Sequence, residues 1–454
     1  MAALLGANLA RAGCPSAIYA GVVGLPNPPA LKRQFFAVSH SKSGWTRVPF
    51  DMVPLKHQPV ESQAGLLFSP QPLSATHFMV DFQEAWWKRP MISDADTIVV
   101  PDFLGGQRAS PRELRDYAKR FTCARTWELE QIGIGFAGES QKRFLYLLQC
   151  PRPPEGQGNV LAGEAAPLFN SKALTVESSS FRYQMNRGNQ MLFDRLEAVG
   201  ESRGMEVFLE DGNFDIRADF KNFFGMHFTS DNVRSKIVAD RTGVAAAVAR
   251  LNFDLQVLFL QLDLQLNTDL LFFRDAVFLP MIMRIPRDAW RYVHPGSGVL
   301  YSWFPAPGTT MQQAWVDMPR RRKFKTKGDV KVESEQVIKR HCQSDGRCRF
   351  RAAVGRGPDS RVVLMEITVN QRMVESGFFP QYVADARSEA AELGWSWKGS
   401  KSDRPREGIY FELSQMAKGD HGFEIWLRLL PFDGDPAATT NCPSETAVRE
   451  VVLN

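Results

Sequence analysis

Residues 251–271, LNFDLQVLFLQLDLQLNTDLL, form the longest strongly patterned apolar run in the chain and lie near its middle. Taken two at a time, Leu251, Phe253, Leu255, Val257 and Phe259 fall on one side, with Asn252, Asp254 and Gln256 on the other. That is the period of a half-buried strand. The parity slips at residues 258–260, after which Leu258, Leu260, Leu262, Leu264 and Leu266 alternate with Gln261, Asp263, Gln265 and Asn267. One long strand with a bulge, or two strands end to end, fits this pattern. Helical spacing also joins Leu251, Leu255, Leu258, Leu262 and Leu266, but a helical wheel scatters the four polar residues to opposite sides. Only a strand separates them from the leucines.

Outward from this run, the pattern predicts an α+β protein: mostly antiparallel β-rich sheets with a few packed helices, in two or three compact regions. The 454 residues, 44% of them apolar, suffice for ordinary cores. Residues 45–150 read as a first α/β region and 151–172, rich in Pro and Gly, as a linker. A central β-rich domain at 173–308, a basic linker at 309–333, a C-terminal β-rich domain at 334–435 and a tail at 436–454 complete the division. Ser110-Pro111-Arg112-Glu113 carries the start signals of a helix, with Ser110 as cap and Glu113 returning the bond. Further helices are expected at 190–201, from Ser230 or Asp231 towards Ala249, and at 382–393 closed by Gly394. In MEVFLEDGNFDIRADF, Asp211-Gly212 suits the turn of a hairpin, and Phe214, Ile216, Ala218 and Phe220 alternate with Asn213, Asp215, Arg217 and Asp219.

The net charge of +5 is unevenly spread. Residues 1–50 carry +5 with no acid, residues 319–351 carry +8, and the rest carries −8. Residues 1–43, rich in Ala, Gly and Leu with scattered Arg and Lys, resemble a mitochondrial presequence and predict a mitochondrial location. A plastid leader or a merely flexible basic terminus are the other readings. Six cysteines in a chain this long predict reduced thiols rather than a disulfide framework. No apolar run approaches the ~20 residues that a spanning helix needs.

No catalytic residue and no cofactor are predicted. Gly133-Ile134-Gly135-Phe136-Ala137-Gly138 fits a dinucleotide fingerprint on paper, but no apolar strand precedes it and a strand-like segment follows, so a turn between strands is expected. Asp94-Ala95-Asp96 precedes its apolar segment instead of following it, and Asp211, Asn213 and Asp215 lack the loop of a calcium site. His341, Cys342 and Cys348 supply three metal ligands without a fourth, so no metal site is predicted. The basic region carries more information. Arg320, Arg321, Arg322, Lys323, Lys325 and Lys327 form a dense run, and Arg347, Arg349 and Arg351 would share one face of a strand. Such a surface suits phosphates, so the expected function is a non-catalytic binding or assembly component contacting RNA or an acidic protein complex, with peripheral membrane contact as a further use. The alternatives are a ligand-binding protein or enzyme with an apolar pocket lined by Phe253, Phe259, Phe272 and Phe273, or a virion structural protein.

Overall fold

The computed structural model describes residues 17–22, 35–48, 51–55, 95–101, 107–134, 140–151, 168–199, 204–219, 225–229, 233–242, 247–257, 260–273, 276–285, 294–307, 316–322, 327–342, 346–355, 361–392, 405–414, 419–431 and 446–451. The chain opens with β1 (Ala17–Val22), β2 (Phe35–Ser41), β3 (Gly44–Val48), β4 (Asp51–Leu55) and β5 (Ala95–Pro101), then helix α1 (Pro111–Arg120) and the hairpin β6 (Arg125–Ile134) and β7 (Ser140–Gln149). Next come β8 (Leu168–Asn170), β9 (Thr175–Glu177), β10 (Phe181–Met185), β11 (Phe193–Val199), β12 (Met205–Asp219) and β13 (Gly225–Thr229). They are followed by β14 (Val233–Thr242), β15 (Ala247–Val257), β16 (Leu260–Phe272), β17 (Ala276–Ile285), β18 (Gly298–Pro305) and β19 (Val316–Asp317). The last part holds α2 (Lys327–His341), β20 (Arg347–Gly355), β21 (Arg361–Asn370), α3 (Gln371–Glu375), β22 (Gln381–Val383), α4 (Ala386–Glu392), β23 (Glu407–Glu412), β24 (Gly419–Pro431) and β25 (Thr446–Glu450).

The apolar run at 251–271 is a hairpin, neither one bulged strand nor two strands end to end. β15 and β16 pair antiparallel, with Val257 opposite Leu260, Leu255 opposite Leu262 and Phe253 opposite Leu266. Opposed residues share a face. Because two residues connect the strands, odd positions of β15 face the same way as even positions of β16.

The strands form sheets of nine, eight, five and three among the described residues, and every pairing within them is antiparallel. The eight-stranded sheet runs β14-β15-β16-β17-β24-β21-β20-β19, and the nine-stranded sheet runs β22-β23-β18-β12-β11-β10-β9-β8 with β13 beside β12. Both therefore draw strands from before and after the basic segment 309–333, and pairing crosses the expected boundary between the central and C-terminal regions. One apolar core joins the two sheets, combining Tyr183, Phe193, Phe214 and Trp303 with Leu251, Phe272, Phe350 and Ile367. Tyr183 and Phe272, one from each sheet, meet edge to face at 5.3 Å. The architecture is a face-to-face packing of antiparallel sheets, so the β-rich expectation holds, with helices a small share.

The termini enter the same structure. Phe35–Ser41, inside the expected leader, forms β2 against β7, with Phe35, Phe36, Ala37 and Val38 buried. Thr446–Glu450, inside the expected tail, pairs with β6. Residues 1–16 and 23–34 lie outside the described residues, as does most of the linker at 151–172.

Several expected helices are strands. The segment 190–201 contains β11, and 230–249 contains β14 and the start of β15. Partner strands on both sides satisfy their backbone groups, and that tertiary choice overrides local propensity. The 382–393 segment divides, with its first residues in β22 and 386–392 in α4. Of the glycine-rich stretch at 133–138, Gly133 and Ile134 end β6, and the remainder lies outside the described residues. Helix α1 follows the sequence closely: Ser110 accepts from the Glu113 amide, and the Glu113 carboxylate accepts from the Ser110 amide at 2.8 Å. The Ser110 hydroxyl, which donates to the Glu113 carboxylate at 2.7 Å, and then the Ser110 amide hold that carboxyl below its ordinary range. Ser110→Ala is expected to cost about 1 kcal/mol in denaturant unfolding.

The expectation of reduced thiols is overturned for the described cysteines. Cys123 is bonded to Cys150 and Cys342 to Cys348. The first pair lies where the Ala124 amide meets the Gln149 carbonyl at 2.8 Å, and the second closes a bridge between the end of α2 and the start of β20. Antiparallel chain reversals bring each pair within reach, which sequence spacing did not reveal. With both its sulfurs bonded, the Cys342–Cys348 pair offers no thiolate to a metal beside His341.

Candidate functional site

The stretch MEVFLEDGNFDIRADF does not turn back at Asp211-Gly212. It continues as the single long strand β12, and the Asp-Gly pair produces a bulge. Between Glu210, opposite Phe304, and Asn213, opposite Ser302, β12 holds one residue more than β18. Asp211 has φ +50°, a left-handed conformation that Asp tolerates better than most residues. At Gly212 a Cβ would come to 3.1 Å from the Phe193 carbonyl and 3.3 Å from the Tyr301 hydroxyl, so a side chain there would crowd both. Bulges of this type bend a strand and re-aim one side chain.

The neighbouring strand is irregular at the same level. Gln184 pairs with Arg195 and Met185 with Phe193, which leaves Asp194 as the extra residue of β11. Arg195 stands opposite Glu210, and continuing that register sets Asp194 opposite Asp211. The two carboxyl groups thus belong to neighbouring bulged strands, and the Asp211 charge reaches Asp194.

Their environments differ. Arg406, which is 2% exposed, donates to the Asp211 carboxylate at 2.6 Å and also to its carbonyl oxygen, while its Nε donates to Ser302 Oγ at 3.2 Å. Its guanidinium lies 4.3 Å from the centre of the Phe304 ring. Asp211 is thus held as an ion pair. Asp194 instead accepts a neutral hydrogen bond, from Asn186 Nδ2 at 2.6 Å. Burial raises its pKa above the ordinary aspartate range and the Asp211 charge adds to the rise, while the Asn186 bond and Arg187 oppose it. The result is a carboxyl that keeps its proton longer than usual beside one bound to a cation. Tyr301, whose hydroxyl borders Gly212, is pushed far up by burial and therefore stays a neutral donor.

A second raised carboxyl, Glu412, is a structural anchor. Burial lifts it, but it accepts from Tyr410 Oη at 2.9 Å, from Ser414 Oγ and from the Gly296 amide at 3.2 Å. Its oxygens tie the turn at 294–297 to β23.

The predicted polyanion site looks different once folded. Arg347, Arg349 and Arg351 do alternate with buried Cys348 and Phe350 on one face of β20, as expected. That face also carries acids. Arg347 pairs with Glu424 at 2.5 Å, and Arg351 with Glu366 at 2.8 Å; Arg428 adds to Glu366 at 3.5 Å. Arg321 pairs with Glu389 beneath the Tyr410 ring, and Arg322 pairs with Glu333 at 3.1 Å. Arg320 is exposed and bridges to Tyr382 through the backbone. Lys323 and Lys325 lie outside the described residues, as does the side chain of Lys327, whose backbone opens α2. With Arg321, Arg322, Arg347 and Arg351 matched by acids inside the fold, the expectation of a free basic surface assembling on RNA or an acidic complex is corrected. No helix of the described residues is long and apolar enough to cross a membrane.

Of the residues expected to line an apolar pocket, Phe272 and Phe273 are fully buried, Phe273 packing against Trp426 at 5.7 Å. Phe253 and Phe259 lie outside the described side chains.

Glu366 makes a testable point about acid stability. Burial would raise its pKa, but Arg428 and Arg351 outweigh burial and lower it. A lowered folded pKa contributes stability that is present above the unfolded value near 4.5 and is lost as pH falls below it. Glu366→Gln is expected to flatten the loss of unfolding free energy below that pH, measured by urea titrations at a series of pH values.

No protein-family model matches the chain, and no curated protein does. Among solved structures it is similar to an α-mannosidase from Enterococcus faecalis V583, at 10% identity and a TM-score of 0.38 over 98% of this chain and 45% of that one. It is also similar to a protein of glycosyl hydrolase family 38 from Enterococcus faecalis, at 8% identity and 0.37 over 98% and 47%. A galactose mutarotase related enzyme from Lactobacillus acidophilus aligns at 9% identity and 0.21 over 61% of this chain and 94% of that one. The chain spans about half the length of the first two. Likenesses this low fix neither an activity nor a substrate.

Proposed function

We propose that the protein is a carbohydrate-active enzyme whose acid–base pair is Asp194 and Asp211. The observation that carries this reading is the opposition of two carboxyl groups at adjacent bulges in contrasting environments. Cleaving an acetal requires a proton for the departing oxygen and a base for the attacking water, and a carboxyl with a raised pKa near a carboxylate held by a guanidinium provides both. Asp194, with its raised pKa, gives its proton to the glycosidic oxygen as the bond from the anomeric carbon breaks. Asp211, oriented by Arg406, takes a proton from the water whose oxygen bonds to that carbon. Net proton return to Asp194 restores the starting state. Arg187, exposed on the turn beside Asp194, supplies a polar group for sugar hydroxyls. The resemblance to carbohydrate enzymes indicates which substrates to try first.

The test is a panel of aryl glycosides, read by release of the aryl alcohol, together with polarimetry of free sugars. Turnover of at least one compound that disappears in the Asp194→Asn, Asp211→Asn double variant supports the reading. Turnover that persists in that variant, or no turnover and no saccharide binding by calorimetry across the panel, overturns it.

A further inference from the structure

Asp194 is connected to the other large sheet by an unbroken line of hydrogen bonds. Ser235 lies on β14, the edge strand of the eight-stranded sheet, opposite Phe253 of the β15–β16 hairpin, and is 1% exposed. Its hydroxyl donates to Asn189 Oδ1 at 2.6 Å and accepts from the Met191 amide at 2.7 Å. Backbone contact reinforces the join: Asn189 bridges to Ser235, the Gln190 amide donates to the Ser235 carbonyl, and the Ile237 amide donates to Gln190 Oε1 at 2.5 Å. Within the turn, the amides of Gly188 and Asn189 donate to Asn186 Oδ1 at 2.8 and 3.0 Å. These bonds fix the Asn186 amide plane, so its Nδ2 must point away from the turn, and there it meets Asp194 Oδ1.

We infer that Ser235 is a positioning residue for Asp194, acting through Asn189 and Asn186 to hold the carboxyl in one orientation with Oδ1 occupied, so that the proton sits on Oδ2. The consequence for catalysis rests on the reading of Asp194 as the acid; the relay itself does not. A serine hydroxyl that both donates and accepts, inside a site from which water is excluded, has little freedom to rotate. It therefore sets the turn, and the turn sets the amide. The charged and titratable groups facing Asp194 are Asp211 on β12, with Arg406 bound to it, Arg187 on the turn and Tyr183 on β10. Asp211, Arg406 and Tyr183 are not members of the relay, whereas Arg187 sits on the turn that the relay holds and moves with it.

The experiment is a carbon-13 NMR titration of the Asp194 carboxyl in the full chain, assigned with Asp194→Asn. Asn186→Ala removes the bond to Oδ1 and is expected to raise the midpoint by about one pH unit. Ser235→Ala is expected to raise it by about half as much, and Ser235→Thr, which keeps the hydroxyl, to restore it. Asn189→Ala cuts the same line in its middle and must shift the midpoint in the same direction, which keeps the test open should Ser235→Ala not fold. A Ser235→Ala protein that melts lower but titrates at the unchanged midpoint has lost only a packing contact, and this result overturns the inference. Because the titration needs no substrate, its failure and a failure to find sugar turnover are separate outcomes.

Discussion

Asp194→Asn is expected to lower kcat/KM on the best glycoside of the panel by about 100- to 10,000-fold, the usual contribution of a positioned proton donor. The loss should fall mainly on kcat, because the amide keeps the shape and the hydrogen bond to the substrate but has no proton to give. Two companions make the result specific. A substrate with a very acidic leaving group, such as a dinitrophenyl glycoside, needs little protonation, so its loss should be much smaller. Asp211→Asn should also reduce the rate, and it should move the Asp194 midpoint down, since the Asp211 charge contributes to the raised value. Asn suits the Asp211 position because it tolerates the left-handed backbone found there. Equal losses on good and poor leaving groups would show that Asp194 serves binding or structure, not proton transfer.

Arg406→Ala should be the most destabilising of the substitutions considered, at about 2–4 kcal/mol in denaturant unfolding. The guanidinium serves the Asp211 carboxylate, the Asp211 carbonyl and Ser302 at once, and stacks on Phe304. Removing it leaves a cavity, a carbonyl at a strained bulge and a buried hydroxyl without their donor. Asp211 is 47% exposed on its side-chain atoms, so water screens part of the charge left behind and holds the cost below that of a fully buried ion. Arg406→Lys should recover little, because a single ammonium cannot reproduce the forked geometry. A cost under about 1 kcal/mol for Arg406→Ala would mean that the bulge holds itself.

Much of the scaffold was legible. The alternation of β20 was legible because it depends on which face is buried, and that is written directly in the order of Arg347, Cys348, Arg349, Phe350 and Arg351. The α1 cap was legible because its partners, Ser110 and Glu113, are three residues apart. The helices expected at 190–201 and 230–249 failed for the converse reason: their local spacing is compatible with either state, and strand partners far along the chain decide between them. The candidate site lies in that misread part. Asp194 and Ser235 sat within the two expected helices, and Asp211 was taken for a hairpin turn, since a bulge and a turn use the same Asp-Gly signal. The basic run was read correctly as charge and strand face. Its acids, Glu366, Glu389 and Glu424, are distant in sequence, so the neutralising pairs could not be read from it.

The sequence by itself determined a β-rich chain, the strand identity of residues 251–271 and the change of parity within them, because side-chain period is a local property of the backbone. Only the tertiary structure decided that the parity change is a reversal, that the two large sheets share one core, and that β14 from one sheet supports the turn beside Asp194 in the other. Register and pairing between distant strands are set by the complementarity of whole faces, and no single stretch contains that information.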